Sequence, residues 1–321
     1  MSFGLVLQEL DERARERGGG VYVATMTIVV FFEDAAIGAL ARDRIHTLAA
    51  KHPSRVILFD GTQSEGAHHV DGNDWIELGA KGSTAEHLRG AANALRLPEA
   101  PVILLWIAPG IGDDERFCEL SRDARTVVYN SSLVDAGDGA LRQLVDYVNR
   151  HPELPLADIA YLRLAPWQES VAILFDGEES SELLDLARVE IGCGSQPEGL
   201  YLLGWLASRL EWKPGSNDTL IAPGGKAIAF AILREGEPRR IARITLNSTR
   251  SSFVAEADPH GETINLSVTG GHAKPPRLRA INNPGVAALV ERAILSSQND
   301  RVFQASLAAA GAILTQGRPS P

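Results

Sequence analysis

Three apolar runs in the first 107 residues leave this chain little freedom in how it folds. Residues 21–32, 55–59 and 101–107 are apolar almost throughout and rich in Val, Ile, Leu and Phe. A strand wet on one face alternates, whereas a strand buried on both faces reads as a continuous apolar run. Helical periods separate these runs. Residues 36–52 place Leu40, Ile45 and Leu48 on an expected inner face, and 84–97 form a second helix capped by Ser83 or Thr84. A strand at 75–78, a short helix at 113–124, a strand at 125–129 and a helix at 139–150 continue the alternation. Buried strands alternating with helices predict a doubly wound, mostly parallel α/β sheet of Rossmann-like type over residues 1–157. Before it, 4–17 reads as a short amphipathic helix ended by Gly18, Gly19 and Gly20. Residues 61–74 read as a loop or irregular edge.

The second half has a different rhythm. Ile228, Phe230 and Ile232, then Ala242, Ile244 and Leu246, then residues around Phe253, then Ile264, Leu266 and Val268 recur with period two and short turns between them. That pattern predicts an antiparallel sheet with one wet face. A strand is expected at 187–191. Residues 200–212 are apolar around nearly the whole circumference and predict a buried helix, and helices at 285–295 and 301–315 end the chain. Residues 158–321 are thus expected to form an α+β domain with C-terminal helices, the two-proline stretch 151–156 marking the boundary.

The stretch 158–176 joins the two patterns. Ile159, Tyr161 and Arg163 alternate with Ala160, Leu162 and Leu164, as in a strand. After Pro166, the residues Trp167, Val171, Leu174 and Phe175 follow helical spacing. A strand turning sharply into a helix is expected, with Arg163 and Trp167 flanking the turn. Trp167 starts an apolar stripe. A buried Arg163 would need a carboxylate partner, and none is obvious nearby in sequence.

Composition narrows the function. Net charge is −10, with 15 basic and 23 acidic residues up to Ala157 and 16 against 18 beyond it. An acidic bulk argues against nucleic-acid binding. Within the second half, residues 213–279 carry ten basic and six acidic residues and 176–212 carry two and eight, a polarity that reads as solvated strand faces or as a steering patch. No apolar run reaches the length of a membrane span and no leader pattern opens the chain, so a soluble cytoplasmic protein is expected. Cys118 and Cys193 stand far apart, which signals neither a zinc site nor a disulfide framework.

No catalytic set assembles from the motifs. Gly79-Ala-Lys-Gly-Ser-Thr84 lacks the phosphate-loop spacing, because Lys81 precedes Gly82. Pro109-Gly110-Ile-Gly112 follows a strand end but lacks the third glycine of a dinucleotide fingerprint. His68 and His69 have no further ligand at metal spacing. Glu178, Glu179 and Glu182 read as a solvated face. No cofactor and no metal are expected.

Five segments together resemble one family. They are Thr25–Val30, His52–Leu58, Pro101–Trp106, Asp158–Trp167 and Gly204–Leu210, the last reading G-W-L-A-S-R-L. In this order they resemble the OpcA family, the glucose-6-phosphate dehydrogenase assembly proteins. The resemblance implies a two-domain, non-catalytic protein that binds and activates glucose-6-phosphate dehydrogenase in the oxidative pentose phosphate pathway. Some photosynthetic relatives are associated with thiol control through paired cysteines, which Cys118 and Cys193 do not readily supply. Where relatives tend to carry Arg after the tryptophan, this chain has Gln168. An Arg beside an aromatic is also what interface hot spots favour. Arg163 and Trp167 are therefore the expected partner contacts, Arg163→Ala being expected to spare the fold and weaken activation. The alternative is an enzyme holding a phosphorylated sugar or nucleotide at the strand ends of the first domain.

Overall fold

The computed structural model describes residues 24–64, 68–71, 74–111, 114–133, 138–271, 273–281, 284–295 and 300–316, with isolated positions 6, 8 and 12. Apart from positions 6, 8 and 12, which are helical, the helix expected at 4–17 lies outside the described residues, as do the glycines after it, Gly112 and the side chains of His68, His69, Glu178 and Glu179. Contacts divide the chain into two units. One comprises Met1–Val134, Asp146–Ile159 and Gly285–Asn299; the other comprises Asp135–Val145, Ala160–Pro284 and Asp300–Pro321. A single cut after Ala157 therefore differs from this division at 135–145, at 158–159 and at 285–299.

The first unit is built on strands β1 (Met26–Phe32), β2 (Ser54–Ser64), β3 (His68–Asp71), β4 (Trp75–Lys81), β5 (Val102–Ile107), β6 (Thr126–Tyr129) and β7 (Leu156–Asp158), in the order β3-β4-β2-β1-β5-β6-β7. All neighbours are parallel except the edge pair β3–β4. All seven residues of β1 are buried, as a strand covered on both faces requires. Of the two readings of 61–74, a loop or an irregular edge, the described residues follow the second: β2 extends to Ser64, and β3 forms an antiparallel edge on β4.

Helices α1 (Ala35–Lys51), α2 (Ala85–Leu95), α3 (Glu115–Ser121) and α4 (Asp138–Arg150) follow β1, β4, β5 and β6. Asp34, Thr84 and Asp114 accept from backbone amides as the N-caps of the first three. In α1 the buried positions are Gly38, Ala41, Ile45 and Leu48. Leu40, expected inward, is 63% exposed. It lies one residue, about 100°, away from the stripe that Ala41, Ile45 and Leu48 define at i, i+4 and i+7.

The junction stretch also differs from expectation. The strand ends at Asp158, and two helices follow, α5 (Ile159–Leu162) and α6 (Ala165–Leu174). The reason is pairing: β6 stops at Tyr129, so β7 has ladder partners for Leu156, Ala157 and Asp158 only. Beyond them a strand would leave its backbone groups unpaired, and a helix satisfies them internally. Ile159, Tyr161 and Leu164 are buried all the same. Pro166 occupies the opening turn of α6, and Trp167, Val171 and Leu174 form its buried stripe as expected.

The second unit carries β8 (Leu186–Cys193), the helix α7 (Gln196–Arg209) and strands β9 (Lys213–Pro214), β10 (Thr219–Ile221), β11 (Ala227–Arg234), β12 (Ile241–Ser248), β13 (Ser251–Ala257), β14 (Thr263–Gly270) and β15 (Lys274–Ala280). The sheet order is β15-β14-β13-β12-β8-β11-β10-β9. It is antiparallel except where β8 meets β11, because α7 carries the chain back to the starting end of β8. On one face Ile244, Leu246, Phe253, Ala255, Ile264 and Leu266 are buried, which is the predicted alternation. Helix α8 (Val286–Leu295) belongs to the first unit, whereas α9 (Arg301–Gln316) packs on α7 in the second. A Cβ at Gly204 would overlap the Ser306 carbonyl, so glycine sets how closely α7 and α9 approach.

Candidate functional site

In a doubly wound sheet, ligands bind beyond the carboxyl ends of the strands, the first βα turn holds phosphate, and an acidic residue after the second strand holds ribose. Here each of those positions is engaged by the protein itself. The β1–α1 turn reads Phe32-Glu33-Asp34 rather than glycines. Asp34 Oδ1 accepts from the Ile37 amide at 2.9 Å and so occupies the positive end of α1. Glu33 Oε1 receives Arg116 Nη1 at 2.6 Å, and Arg116 is also held by both oxygens of Asp114. The Phe32 ring fills the space a Cβ on Gly38 would need.

Asp60 stands on β2 opposite the end of β1 and is 5% exposed. Its Oδ1 accepts from the Thr62 amide at 2.8 Å and hydroxyl at 2.6 Å, and its Oδ2 accepts from Arg42 at 2.9 Å. Arg42 in turn binds Glu77, whose Oε1 also receives the Trp75 indole N–H at 2.8 Å. Burial alone would raise the Asp60 pKa, but the Thr62 and Arg42 bonds outweigh it and hold the carboxyl below its usual range.

The other sequence motifs resolve as structure. Gly79 and Lys81 lie in β4, and Thr84 Oγ1 caps α2. Gly110 takes a left-handed turn at φ +85°, and its carbonyl accepts the Trp106 indole N–H. Among the described residues no cluster of three His, Cys, Asp or Glu could hold a metal ion. Glu182 is not a solvated residue: it is fully buried and accepts from the hydroxyls of Ser248 and Ser251. Lys226 pairs with Asp185 at 2.7 Å, so the acidic and basic stretches of the second half partly neutralise each other. Cys193 is buried, which pushes its thiol pKa up to about 11, and Cys118 belongs to the other unit.

The second unit contains a cleft of about 210 Å³ whose lining includes Arg163, Trp167, Glu198, Arg239, Arg240 and Asp258. Both sequence-predicted contact residues are therefore brought to one place, but neither is a free surface group. Trp167 is 6% exposed. Arg163 Nη1 binds Glu198 Oε1 at 2.8 Å, and Glu198 is 1% exposed in the first turn of α7. The other Glu198 oxygen receives the Ser195 hydroxyl, which also accepts from the Arg239 amide. Arg239 holds φ +64°, an uncommon conformation for a side chain of its size. Asp258 folds back on the amides of Glu262 and Thr263, which keep its carboxyl below the usual range. Glu198 was missed in the sequence because 35 residues and a strand separate it from Arg163.

Comparison with known proteins gives this cleft a family context. Residues 154–307 match the family described as the C-terminal domain of the glucose-6-phosphate dehydrogenase subunit. The OxPP cycle protein OpcA of Synechocystis sp. is 33% identical over 234 residues, covering 67% of this chain and 48% of that protein. The chain belongs to the OpcA family. The Nostoc punctiforme member of the family is 32% identical over 146 residues, 44% of this chain and 31% of that protein. The chain thus matches about half the length of these family members, or less. Among solved structures, an aldose-aldose oxidoreductase from Caulobacter crescentus gives a TM-score of 0.52 at 13% identity, over 91% of this chain and 97% of that one. An NAD binding oxidoreductase from Klebsiella pneumoniae gives 0.52 at 10% identity, over 92% and 97%. At such identities the likeness shows the fold alone, Rossmann-like followed by a large antiparallel sheet, and nothing of its chemistry. Among the described residues no helix is long and apolar enough to cross a membrane.

Proposed function

We propose that this protein is a non-catalytic partner of glucose-6-phosphate dehydrogenase that binds the enzyme and promotes its active form in the cytoplasm. The observation that carries the non-catalytic part is the state of the first unit's strand ends. Asp34 caps α1, Glu33 is paired with Arg116, and Asp60 is engaged by Thr62 and Arg42. A nucleotide or sugar phosphate would have to displace three sets of charge-assisted bonds to enter, which weighs against the enzyme alternative. The family, described by the dehydrogenase subunit's C-terminal domain, supports the choice of partner.

The mechanism is linkage. A partner raises activity only by binding the active conformation or oligomer more tightly than the inactive one. The proposed contact is the cleft that Arg163 and Trp167 line, with Arg240, an exposed residue beside them, at its rim. Arg163 and Trp167 act here by shaping the cleft, since both are held from within. The test is co-purification with the cognate dehydrogenase and its activity with and without this chain. Co-elution with raised activity is expected, reduced by Arg240→Glu. Absence of any effect on the enzyme would overturn the proposal.

A further inference from the structure

The C-terminal ends of β6 and β7 hold a buried polar junction on the first unit's sheet. Tyr129 and Asp158 are register partners in the parallel ladder, so their side chains project to the same face of the sheet. Tyr129 is 2% exposed, Ser131 0% and Asp158 1%. The Ser131 amide donates to Asp158 Oδ1 at 3.2 Å, which brings that residue over the same carboxylate. Yet the Tyr129 hydroxyl and the Ser131 hydroxyl, both buried, have no hydrogen-bond partner among the described residues. Burial pushes the Tyr129 pKa up, and the Asp158 charge pushes it further.

Two buried donors without acceptors beside a buried acceptor make a costly arrangement unless something bridges them. We infer that this junction is a binding site for one internal water molecule, which accepts from the Tyr129 and Ser131 hydroxyls and donates to Asp158. Water fits because it offers two acceptor and two donor positions, and buried waters characteristically make about three hydrogen bonds to groups the protein leaves unpaired. An apolar ligand would leave both hydroxyls unsatisfied, and an anion would be repelled by Asp158. The water would pin Ser131, just past β6, to the last residue of β7, where the chain turns into α5.

Two measurements test this. Tyr129→Phe and Ser131→Ala each remove one arm of the bridge without changing the shape of the junction much. Each should lower the melting temperature by several degrees, and the double variant should cost less than the sum, because both hydroxyls serve one water. A Tyr129→Phe variant that melts at the wild-type temperature or above it would mean the hydroxyl bonds to nothing, and would overturn the inference. A crystal structure of the intact protein that orders its waters decides independently of any variant. One peak within hydrogen-bond distance of all three oxygens is expected. A direct hydroxyl-to-carboxylate bond, or an empty junction, would overturn it.

Discussion

Arg163 Nη1 lies 2.8 Å from Glu198 Oε1, and the carboxylate it neutralises is 1% exposed while the guanidinium keeps 20% of its side-chain surface. This pairing changes what Arg163 does. A long basic side chain beside a tryptophan reads as a partner contact from sequence. In the fold its first task is to pair a charge that could not otherwise be buried. Ser195 holds the other carboxylate oxygen, so Glu198 is satisfied on both sides.

Arg163→Ala should therefore destabilise the protein rather than spare it. Leaving a buried carboxylate unpaired costs about 3 kcal/mol. Adding Glu198→Gln should recover much of that loss, because the amide needs no counter-charge. Urea unfolding of the two single variants and the double variant measures this. Equal midpoints for wild type and Arg163→Ala would show that the pair contributes nothing.

Trp167→Ala should cost about 3–5 kcal/mol, as for other large buried aromatics. Trp167 begins the α6 stripe with Val171 and Leu174, all buried, and also lines the cleft. Trp167→Phe should retain most of the stability. If the cleft contacts the dehydrogenase, Trp167→Phe should also weaken activation at temperatures where both proteins are fully folded. Unfolding by circular dichroism and activation measured on the same samples separate the two effects.

Acid should reveal the Asp60 network. The folded carboxyl is held below its usual 3.8 by Thr62 and Arg42, against the opposing effect of burial. A depressed carboxylate contributes stability that is fully present above its unfolded pKa and is lost as pH falls through the folded value. Asp60→Asn should therefore unfold earlier than wild type at pH 7. The gap should narrow only once the pH drops below about 4. A gap that is constant from pH 7 to pH 3 would mean the charge is not what Asp60 contributes.

NADP should not stabilise the protein. A ligand at a hundred times its dissociation constant would add about 2.7 kcal/mol to the folded state. Because Glu33, Asp34 and Asp60 are all engaged internally, millimolar NADP should leave the melting temperature unchanged. A saturable rise would show that the strand ends open to a nucleotide and would favour the enzyme reading.

The layers of this protein are written in its local residue patterns. Continuous apolar runs specified strands buried on both faces, period-two runs specified a sheet with one buried face, and the unbroken apolar surface of α7 specified a helix with no wet side. Burial is imposed on each short segment separately, so its period survives in the local sequence. The need of Arg163 for a carboxylate was legible for the same reason, since a charge and its apolar flanks are neighbours in the chain. Which carboxylate answers it was not. Glu198, the closure of Asp60 by Arg42, the parallel meeting of β8 with β11, the exposure of Leu40 and the end of β7 at Asp158 each depend on what a distant segment places alongside. Those pairings have no period, because a ladder or an ion pair is satisfied by any suitable neighbour the fold supplies, and only the tertiary structure selects one.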